Sequence, residues 1–233
     1  MFINTASCAV KEYETLGYVT PSMAFLVLAQ FLYANATAKG EHYVTGTWDI
    51  FYEKFGWMLC FWNFAGVPFL YYKQAHFILV HGAPTYFPNW VVPLMTVILL
   101  ATYYVWDEAQ QQKNHFRLTM SGSNIQRWTF PSMPYGILKD PKFIKTKAGT
   151  PLLADGWWAR ARKIHYTADI IMALLWGLAC GFDAVIPYLY VFFFLSMILH
   201  RNERDQARCA EKYGTDWTIY CKLVPFVFIP GIY

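Results

Sequence analysis

Apolar residues form several long runs along the chain, and polar residues are concentrated between and after these runs. The runs long enough for a helix to cross the roughly 30 Å hydrocarbon core of a membrane are 18–38, 55–80 and 88–106. Two shorter runs, 166–182 and 184–199, meet at Gly181-Phe182-Asp183 and predict a tight helical hairpin. The pattern therefore predicts an all-α fold, a polytopic transmembrane helical bundle of about five spans with a long cytoplasmic loop.

Basic residues are distributed asymmetrically around these runs. The connection 81–87 contains no Lys or Arg, whereas 107–164 contains ten and the segment after residue 199 contains five. Because cytoplasmic loops carry an excess of Lys and Arg, we expect both basic segments on the cytoplasmic side and the turn at 181–183 on the opposite side. A long loop at 121–151, rich in Pro, Gly and aromatic residues, has the length and composition of a functional segment.

Composition supports a membrane protein and argues against several other classes. Only 15% of the 233 residues are charged, whereas soluble domains have about 25%. The net charge of +4 is modest, so no nucleic acid partner is expected. The five cysteines form no CxxC pair and have no histidine at zinc-ligand spacing, so neither a metal site nor a disulfide framework is predicted.

Two carboxylates precede the second apolar run. Asp49 and Glu53 are four residues apart, so on a helix they share one face. A carboxyl group among aromatic residues is desolvated, its pKa rises, and it can stay protonated as a general acid. The alternative interpretation is an acidic face at the membrane interface, with Glu53 or Lys54 exposed to solvent.

Basic and aromatic residues are interleaved in two segments, 152–166 and 200–220, and Lys113 and Arg117 form a further pair on one helix face. Cations beside aromatic rings can bind an anionic ligand that carries a flat group. The alternative is a basic belt anchored by tryptophans, together with a solvated helix. The sequence has no GxGxxG motif after a strand and no P-loop, which argues against a soluble nucleotide-binding fold.

The same segments match the signature patterns of a known family. The pattern LLxSG[FYW]WGxxRHxxY corresponds to 152–166, and HRxxRDxxxCxxKYGxxWxxY is complete in 200–220. The chain ends in Pro230-Gly231-Ile232-Tyr233, which matches the family's terminal pattern in its proline and its last two residues. On these motifs the chain resembles the membrane sterol reductase family, which includes sterol Δ14-reductases, 7-dehydrocholesterol reductase and fungal Δ24(28)-reductases.

Three departures from the first pattern indicate a branch of that family. Asp155 replaces the usual Ser, Ala159 the Gly and Lys163 the His. With these residues the segment is similar to the fungal sterol Δ24(28)-reductase branch. The resemblance extends over the whole chain, which corresponds to the C-terminal half of such a protein, either as a fragment or as a functional short form.

The resemblance implies that 1–106 forms three transmembrane helices with part of the sterol pocket. Residues 107–233 would form the NADPH pocket from the loop, the helical hairpin and the C-terminal segment. The cofactor-binding residues that it implies are Lys113, Arg117, Leu153, Trp158, His165, Tyr166, Asp205, Cys209, Ala210, Glu211, Lys212, Tyr213 and Tyr220.

The implied activity is NADPH-dependent reduction of the 24(28) double bond of a sterol side chain, a late step of ergosterol biosynthesis, in a multi-pass endoplasmic reticulum protein. An isolated alkene is a poor hydride acceptor, so an acid must first protonate it, and Glu53 is expected to act as this acid or as a proton relay with assistance from Asp49. The expected partners are the sterol, membrane lipid and other sterol-biosynthesis enzymes. The alternatives are a membrane methyltransferase of the isoprenylcysteine type and an inactive sterol-binding fragment.

Overall fold

The computed structural model describes residues 1–41, 56–122 and 137–232, together with positions 44, 50 and 54. Most of these residues are helical, as the apolar runs predicted. The two candidate acids, Asp49 and Glu53, lie outside the described residues, so their catalytic role stays a prediction.

Helices account for most of the elements in the described part of the chain. Their bounds are α1 (Phe2–Leu16), α2 (Pro21–Lys39), α3 (Trp57–Phe61), α4 (Val67–Leu70), α5 (Lys73–His81), α6 (Val91–Met120), α7 (Ile164–Leu178), α8 (Leu189–Tyr213) and α9 (Thr215–Leu223). A π-helical turn (Trp62–Gly66) joins α3 to α4, and 3₁₀ turns occupy Gly156–Ala159 and Ile186–Tyr188. Two short strands, β1 (Phe143–Ile144) and β2 (Leu152–Leu153), pair antiparallel.

The apolar runs correspond to helices, but the helices differ in length and continuity. In the run at 55–80, helical residues are continuous from Trp57 to Leu70 through the π-helical turn, which directly precedes the predicted kink at Pro68, and a turn at 71–72 separates them from α5. Most of the run at 88–106 lies in α6, which begins at Val91 and continues into the polar segment. Among the described residues, α6 is the helix long and apolar enough to cross a membrane. The number of spans and the side on which the loop lies stay predictions.

Contacts divide the chain into two compact units. The first comprises Met1–Leu100 with Met172–Phe193, and the second comprises Ala101–Ile171 with Phe194–Tyr233. The functional division at residue 106 that the resemblance implies is a separate prediction.

The first unit contains an N-terminal helix that the apolar runs did not predict. Helix α1 packs against α2 and α5, and its Glu12 side chain is almost completely buried. The Glu12 carboxylate accepts hydrogen bonds from the Thr20 backbone N–H (3.0 Å) and hydroxyl (2.9 Å). The Thr20 hydroxyl in turn accepts from Met23 N–H (3.4 Å) and caps α2. Glu12 thus holds the cap residue of the next helix in place.

The second unit positions its loop segments by side-chain to backbone bonds. The β1–β2 pair brings Phe143 opposite Leu153, and Phe143 and Leu153 pack with Phe116 of α6 and with Trp158. Lys147 N–H donates to the buried Asp216 carboxylate of α9 (2.9 Å). The described part of the segment between α6 and α7 is therefore attached to both α6 and α9.

Candidate functional site

An open cleft of about 140 Å³ lies within the second unit. Its lining residues come from α6, the β1–β2 region, the segment before α7, α8 and α9. They are Lys113, Phe116, Arg117, Thr150, Pro151, Leu152, Leu153, Trp158, Arg162, Lys163, Asp205, Cys209, Tyr213, Trp217 and Tyr220. Four of these side chains are cationic and one is a carboxylate, so the cleft carries an excess of positive charge.

One wall of the cleft is a contact between α6 and the 3₁₀ turn. The Lys113 ammonium lies 3.9 Å from the centre of the Trp158 ring, within the range of a cation–π interaction. Trp158 is buried, and its indole N–H donates to the Ala109 carbonyl (2.8 Å). Because Ala109 is one helical turn before Lys113, this bond fixes the ring beneath the ammonium group.

The 3₁₀ turn is itself fixed by two polar side chains. Asp155 accepts hydrogen bonds from the Gly156 N–H (2.7 Å) and the Lys142 N–H (3.0 Å). These backbone donors hold the pKa of the Asp155 carboxyl below its usual value. Gln112 of α6 accepts from the Trp157 N–H (3.0 Å) and connects the turn to the helix. The position of Trp158 is therefore fixed by Asp155, which holds the start of the turn, and by Gln112, which connects the turn to α6.

Arg162 and Lys163 enter the cleft from the turn before α7, whose backbone is bonded to C-terminal residues. The Arg162 N–H donates to the Phe226 carbonyl (2.9 Å), and the Lys163 N–H donates to the Val227 carbonyl (2.8 Å). The Arg162 guanidinium donates to the Cys221 thiol and lies 5.8 Å from the Trp217 ring centre. The ammonium of Lys163 forms an ion pair with Asp205 of α8.

One face of α8 contributes three lining residues at four-residue spacing, which are Asp205, Cys209 and Tyr213. The Cys209 thiol lies 4.0 Å from the Asp205 carboxylate. Burial, and then the Asp205 charge, raise the pKa of this thiol. Cys209 is therefore a neutral thiol at physiological pH and not an anion that competes for the cations.

Helix α9 adds Trp217 and Tyr220, whose rings are 5.4 Å apart. Tyr220 is buried among Ala154 and Val224, and burial raises the pKa of its phenol above the usual value. Its hydroxyl is thus protonated over the physiological range and can donate a hydrogen bond.

The structure brings together eight of the predicted cofactor-binding residues. Lining the cleft are Lys113, Arg117, Leu153, Trp158, Asp205, Cys209, Tyr213 and Tyr220. The other five do not line it: His165, Tyr166, Ala210, Glu211 and Lys212. The roles of all thirteen residues as cofactor ligands stay predictions.

These five residues occupy different positions around the cleft. His165 is buried behind Trp158, with ring centres 5.1 Å apart, and Tyr166 lies 4.2 Å beyond it. Ala210 and Glu211 are exposed. Lys212 reaches the hydroxyl of the lining residue Thr150 (3.4 Å).

The prediction from sequence missed several lining residues, above all Lys163 and Trp217. Both lie inside the two signature segments, Lys163 at the position where the pattern has His. The signal that could have identified them is their place in those segments, although only the fold shows that their side chains enter the cleft.

The arrangement suits an anionic ligand that also carries planar groups. Lys113, Arg117 and Arg162 supply positive charge, and the Trp158 and Trp217 rings supply flat apolar surfaces. The described residues contain no group of three or more His, Cys, Asp or Glu that could hold a metal ion.

Comparisons with known proteins place the whole chain within one group. A family model described as the ergosterol biosynthesis ERG4/ERG24 family matches residues 1–233. The chain is 44% identical over 231 residues to a Delta(24(24(1)))-sterol reductase of Aspergillus fumigatus, covering 99% of the chain and 49% of that protein. It is 45% identical over 235 residues to a Delta(24(24(1)))-sterol reductase of Gibberella zeae, covering 100% of the chain and 39% of that protein.

A bacterial relative is more distant. The chain is 39% identical over 227 residues to a Delta(14)-sterol reductase of Methylotuvimicrobium alcaliphilum, covering 97% of the chain and 50% of that protein. The chain thus spans about half the length, or less, of these curated relatives.

Proposed function

The chain belongs to the ergosterol biosynthesis ERG4/ERG24 family, and from this membership we propose that it is the C-terminal, cofactor-binding half of a sterol Δ24(28)-reductase. The observation that carries the proposal is the 44–45% identity, over almost the whole chain, to two reductases named for the 24(24(1)) bond. Identity to the Delta(14)-sterol reductase is lower, at 39%. The side-chain bond numbered 24(24(1)) in those names is the 24(28) bond of the alternative numbering.

The cleft fits NADPH as the reductant. NADPH carries phosphate groups, for which Lys113, Arg117 and Arg162 are suitable partners, and planar rings, for which Trp158 and Trp217 are suitable surfaces. When bound, NADPH supplies the hydride of the reduction. Because a cleft of about 140 Å³ is smaller than the pockets of about 300 Å³ or more that enclose drug-sized ligands, it would receive only part of this molecule.

The remaining steps are assigned to residues of this chain. Glu53, with assistance from Asp49, is proposed to protonate the alkene or to relay the proton, since a side chain of this type can be held protonated by desolvation. Tyr220, a protonated phenol in the cleft, is available as a hydrogen-bond donor to the bound cofactor or substrate.

The proposed setting is the endoplasmic reticulum membrane, with a multi-pass chain that acts late in ergosterol biosynthesis. The sterol substrate and membrane lipid are its proposed partners, along with other enzymes of sterol biosynthesis. The matches to sterol reductases do not favour the methyltransferase alternative.

Sterol analysis in fungal cells that lack their own Δ24(28)-reductase tests the proposal. Such cells receive either this chain alone or a chimera in which it replaces the matching half of the Aspergillus fumigatus relative. Conversion of the 24(28)-methylene sterol to the saturated side chain by the chimera is the expected result, and conversion by the chain alone would show that this half is sufficient.

Controls separate the possible outcomes. The same chimera in cells that lack Δ14-reductase should leave the Δ14 sterol unreduced, and its reduction there in place of the 24(28) bond would assign the chain to the other branch. A chimera that is expressed, binds NADPH and reduces neither sterol would favour an inactive sterol-binding fragment.

A further inference from the structure

The turn between β1 and β2 carries a threonine that is followed by proline at the edge of the cleft. The sequence contains two such pairs, Thr20-Pro21 and Thr150-Pro151, and no Ser-Pro pair. Proline favours extended backbone at the residue before it, which is the conformation in which proline-directed protein kinases bind their substrates. Each of the two hydroxyl groups is therefore a candidate acceptor of a phosphoryl group.

Burial distinguishes the two hydroxyl groups. Thr20 is 9% exposed, and its hydroxyl both donates to the Glu12 carboxylate (2.9 Å) and accepts from the Met23 N–H at the start of α2. Thr150 is partly exposed, and the three residues before it, 147–149, are exposed. A kinase in solution can therefore reach Thr150 in the folded chain, whereas the hydroxyl of Thr20 is buried.

Bonds within the turn hold Thr150 at the cleft. The Thr146 hydroxyl donates to the Thr150 carbonyl (2.8 Å), and the Lys147 N–H donates to the Asp216 carboxylate of α9 (2.9 Å). Thr150 lines the cleft, and its hydroxyl oxygen lies 3.4 Å from the Lys212 ammonium. The exposed part of the turn and the cleft thus meet at this one residue.

The groups around this hydroxyl suit a phosphate. Lys212 contacts it directly, and the cleft that it lines also contains Arg117 and Arg162. Guanidinium groups keep their charge at every physiological pH and bind phosphate oxygens well. The one carboxylate among the described lining residues, Asp205, forms an ion pair with Lys163. A phosphate attached at this position would therefore enter a region of net positive charge, where it can form new charge-assisted hydrogen bonds.

We propose that Thr150 is a phosphorylation site whose phosphate docks among the cations of the cleft and thereby blocks nucleotide binding. In the reaction, the Thr150 oxygen attacks the γ-phosphorus of ATP, the bond to the β-phosphate oxygen breaks, ADP leaves and the hydroxyl proton is released. The turn belongs to the basic segment 107–164, which is expected on the cytoplasmic side, where ATP and kinases are present. The effect on NADPH rests on the proposed function, whereas the modification and the docking of the phosphate do not.

A phosphate that stays in solvent would behave differently from one that docks. The second pKa of an exposed phosphate monoester is about 6. Neighbouring cations lower this pKa because they favour the doubly charged form. Titration of the phosphorus NMR signal therefore separates a docked phosphate from an exposed one without involving the cofactor.

The experiment treats the purified full chain, in detergent, with a proline-directed kinase and magnesium ATP. Peptide mapping by mass spectrometry gives the position and extent of modification, and thermal midpoints are recorded before and after treatment. NADPH binding is measured by energy transfer from tryptophan to the nicotinamide ring, before treatment, after it and after removal of the phosphate by a phosphatase. Thr150→Val receives the same treatment without an acceptor. Ala148→Glu is the matched control for charge, since Ala148 is exposed on the same turn and does not line the cleft.

We expect modification of Thr150 and not of Thr20. NADPH binding should weaken at least about tenfold, because a tethered phosphate competes at an effective concentration in the millimolar range, and the phosphatase should restore it. Treatment should leave Thr150→Val unchanged, and Ala148→Glu should bind NADPH within about threefold of the wild type, since solvent screens its charge. The phosphate should titrate below about pH 6, and Lys212→Met should move its titration back towards that value.

Several outcomes would overturn the inference. A folded chain that the kinase does not modify at Thr150 would overturn the site itself. A phosphate that titrates at about pH 6 and leaves NADPH binding unchanged, or one that unfolds the chain, would overturn its docking. An untreated chain that binds no NADPH would overturn the cofactor assignment alone, because a phosphate that titrates at lower pH in that same chain would still support docking.

Discussion

Lys113 combines two features that distinguish it from the exposed lysines of the loop. Its ammonium lies 3.9 Å from the Trp158 ring centre, and it lines the cleft beside Arg117. Burial, and then the charges of Arg117 and Lys163, hold the pKa of the Lys113 ammonium well below its usual value, so a bound anion would favour its charged form.

Replacement of Lys113 by Met should therefore weaken NADPH binding about tenfold, the loss associated with one charge-assisted contact. Fluorescence titration at low and high salt measures it, and the variant should show a shallower dependence on salt than the wild type. Lys145→Met serves as the control for a lysine away from the cleft. Equal losses in the two variants would contradict a specific role for Lys113.

Asp155 makes stability depend on pH. Two backbone N–H groups donate hydrogen bonds to the Asp155 carboxylate, and these bonds lower its pKa in the folded chain. The resulting stabilisation is present above the ordinary carboxyl pKa and is lost as the pH falls through the lower folded value.

Asp155→Asn should consequently flatten this dependence, because an amide does not titrate. Between about pH 5 and about pH 3, the thermal midpoint of the wild type should fall more steeply than that of the variant. The midpoints are measured in detergent across this range. Parallel curves for the two proteins would show that the carboxylate contributes nothing through its charge.

At the scale of elements, the 3₁₀ turn Gly156–Ala159 is the support of Trp158. Gly156 has φ +58°, a backbone conformation that is costly for residues with a Cβ. A Cβ at this position would also clash with the Gln112 Oε1 atom that accepts the hydrogen bond from the Trp157 N–H.

Gly156→Ala should thus destabilise the chain by ~1–3 kcal/mol, the range typical of strained backbone, and should weaken NADPH binding through Trp158. Gly149→Ala is the matched control, since Gly149 also has positive φ (+81°) but has open space at its Cβ position. Thermal midpoints and NADPH titrations of both variants measure the difference. A smaller loss of stability in Gly156→Ala than in Gly149→Ala would contradict the predicted clash between the new Cβ and Gln112.

The elements that sequence predicted well are those with a long apolar signal. Helices α2, α6, α7 and α8 each contain or overlap a predicted run. Helix α1 was missed because its buried face includes the polar residues Thr5 and Glu12, and the two-residue strands are too short to show any periodicity.

The site was predicted in outline, and helical geometry explains part of the difference. All five residues of the signature run 209–213 were predicted to bind the cofactor. Successive side chains of a helix point in different directions, so Cys209 and Tyr213 line the cleft while Ala210 and Glu211 are exposed. Lys163 and Trp217 enter the cleft through contacts between distant segments, which spacing along the chain does not reveal.

At the scale of the whole molecule, the distribution of charge predicts how the chain crosses the membrane. The basic segments 107–164 and 200–233 are expected on the cytoplasmic side, with the turn at 181–183 opposite. Lys147 and Asp183 are both exposed, one on each predicted side.

Cysteine labelling in sealed microsomes tests this arrangement. A membrane-impermeant maleimide should label Lys147→Cys in intact microsomes and Asp183→Cys only after permeabilisation. The wild-type chain, with five native cysteines, gives the background. Labelling of Asp183→Cys in intact microsomes would contradict the predicted topology.

The pairing of Arg162 and Lys163 with Phe226 and Val227 has a genetic consequence. The codons for Phe226 and Val227 specify backbone that holds two lining residues of the cleft. A nonsense mutation just before the codon for Phe226 should therefore behave as a null allele, although every lining residue of the cleft precedes it in the sequence.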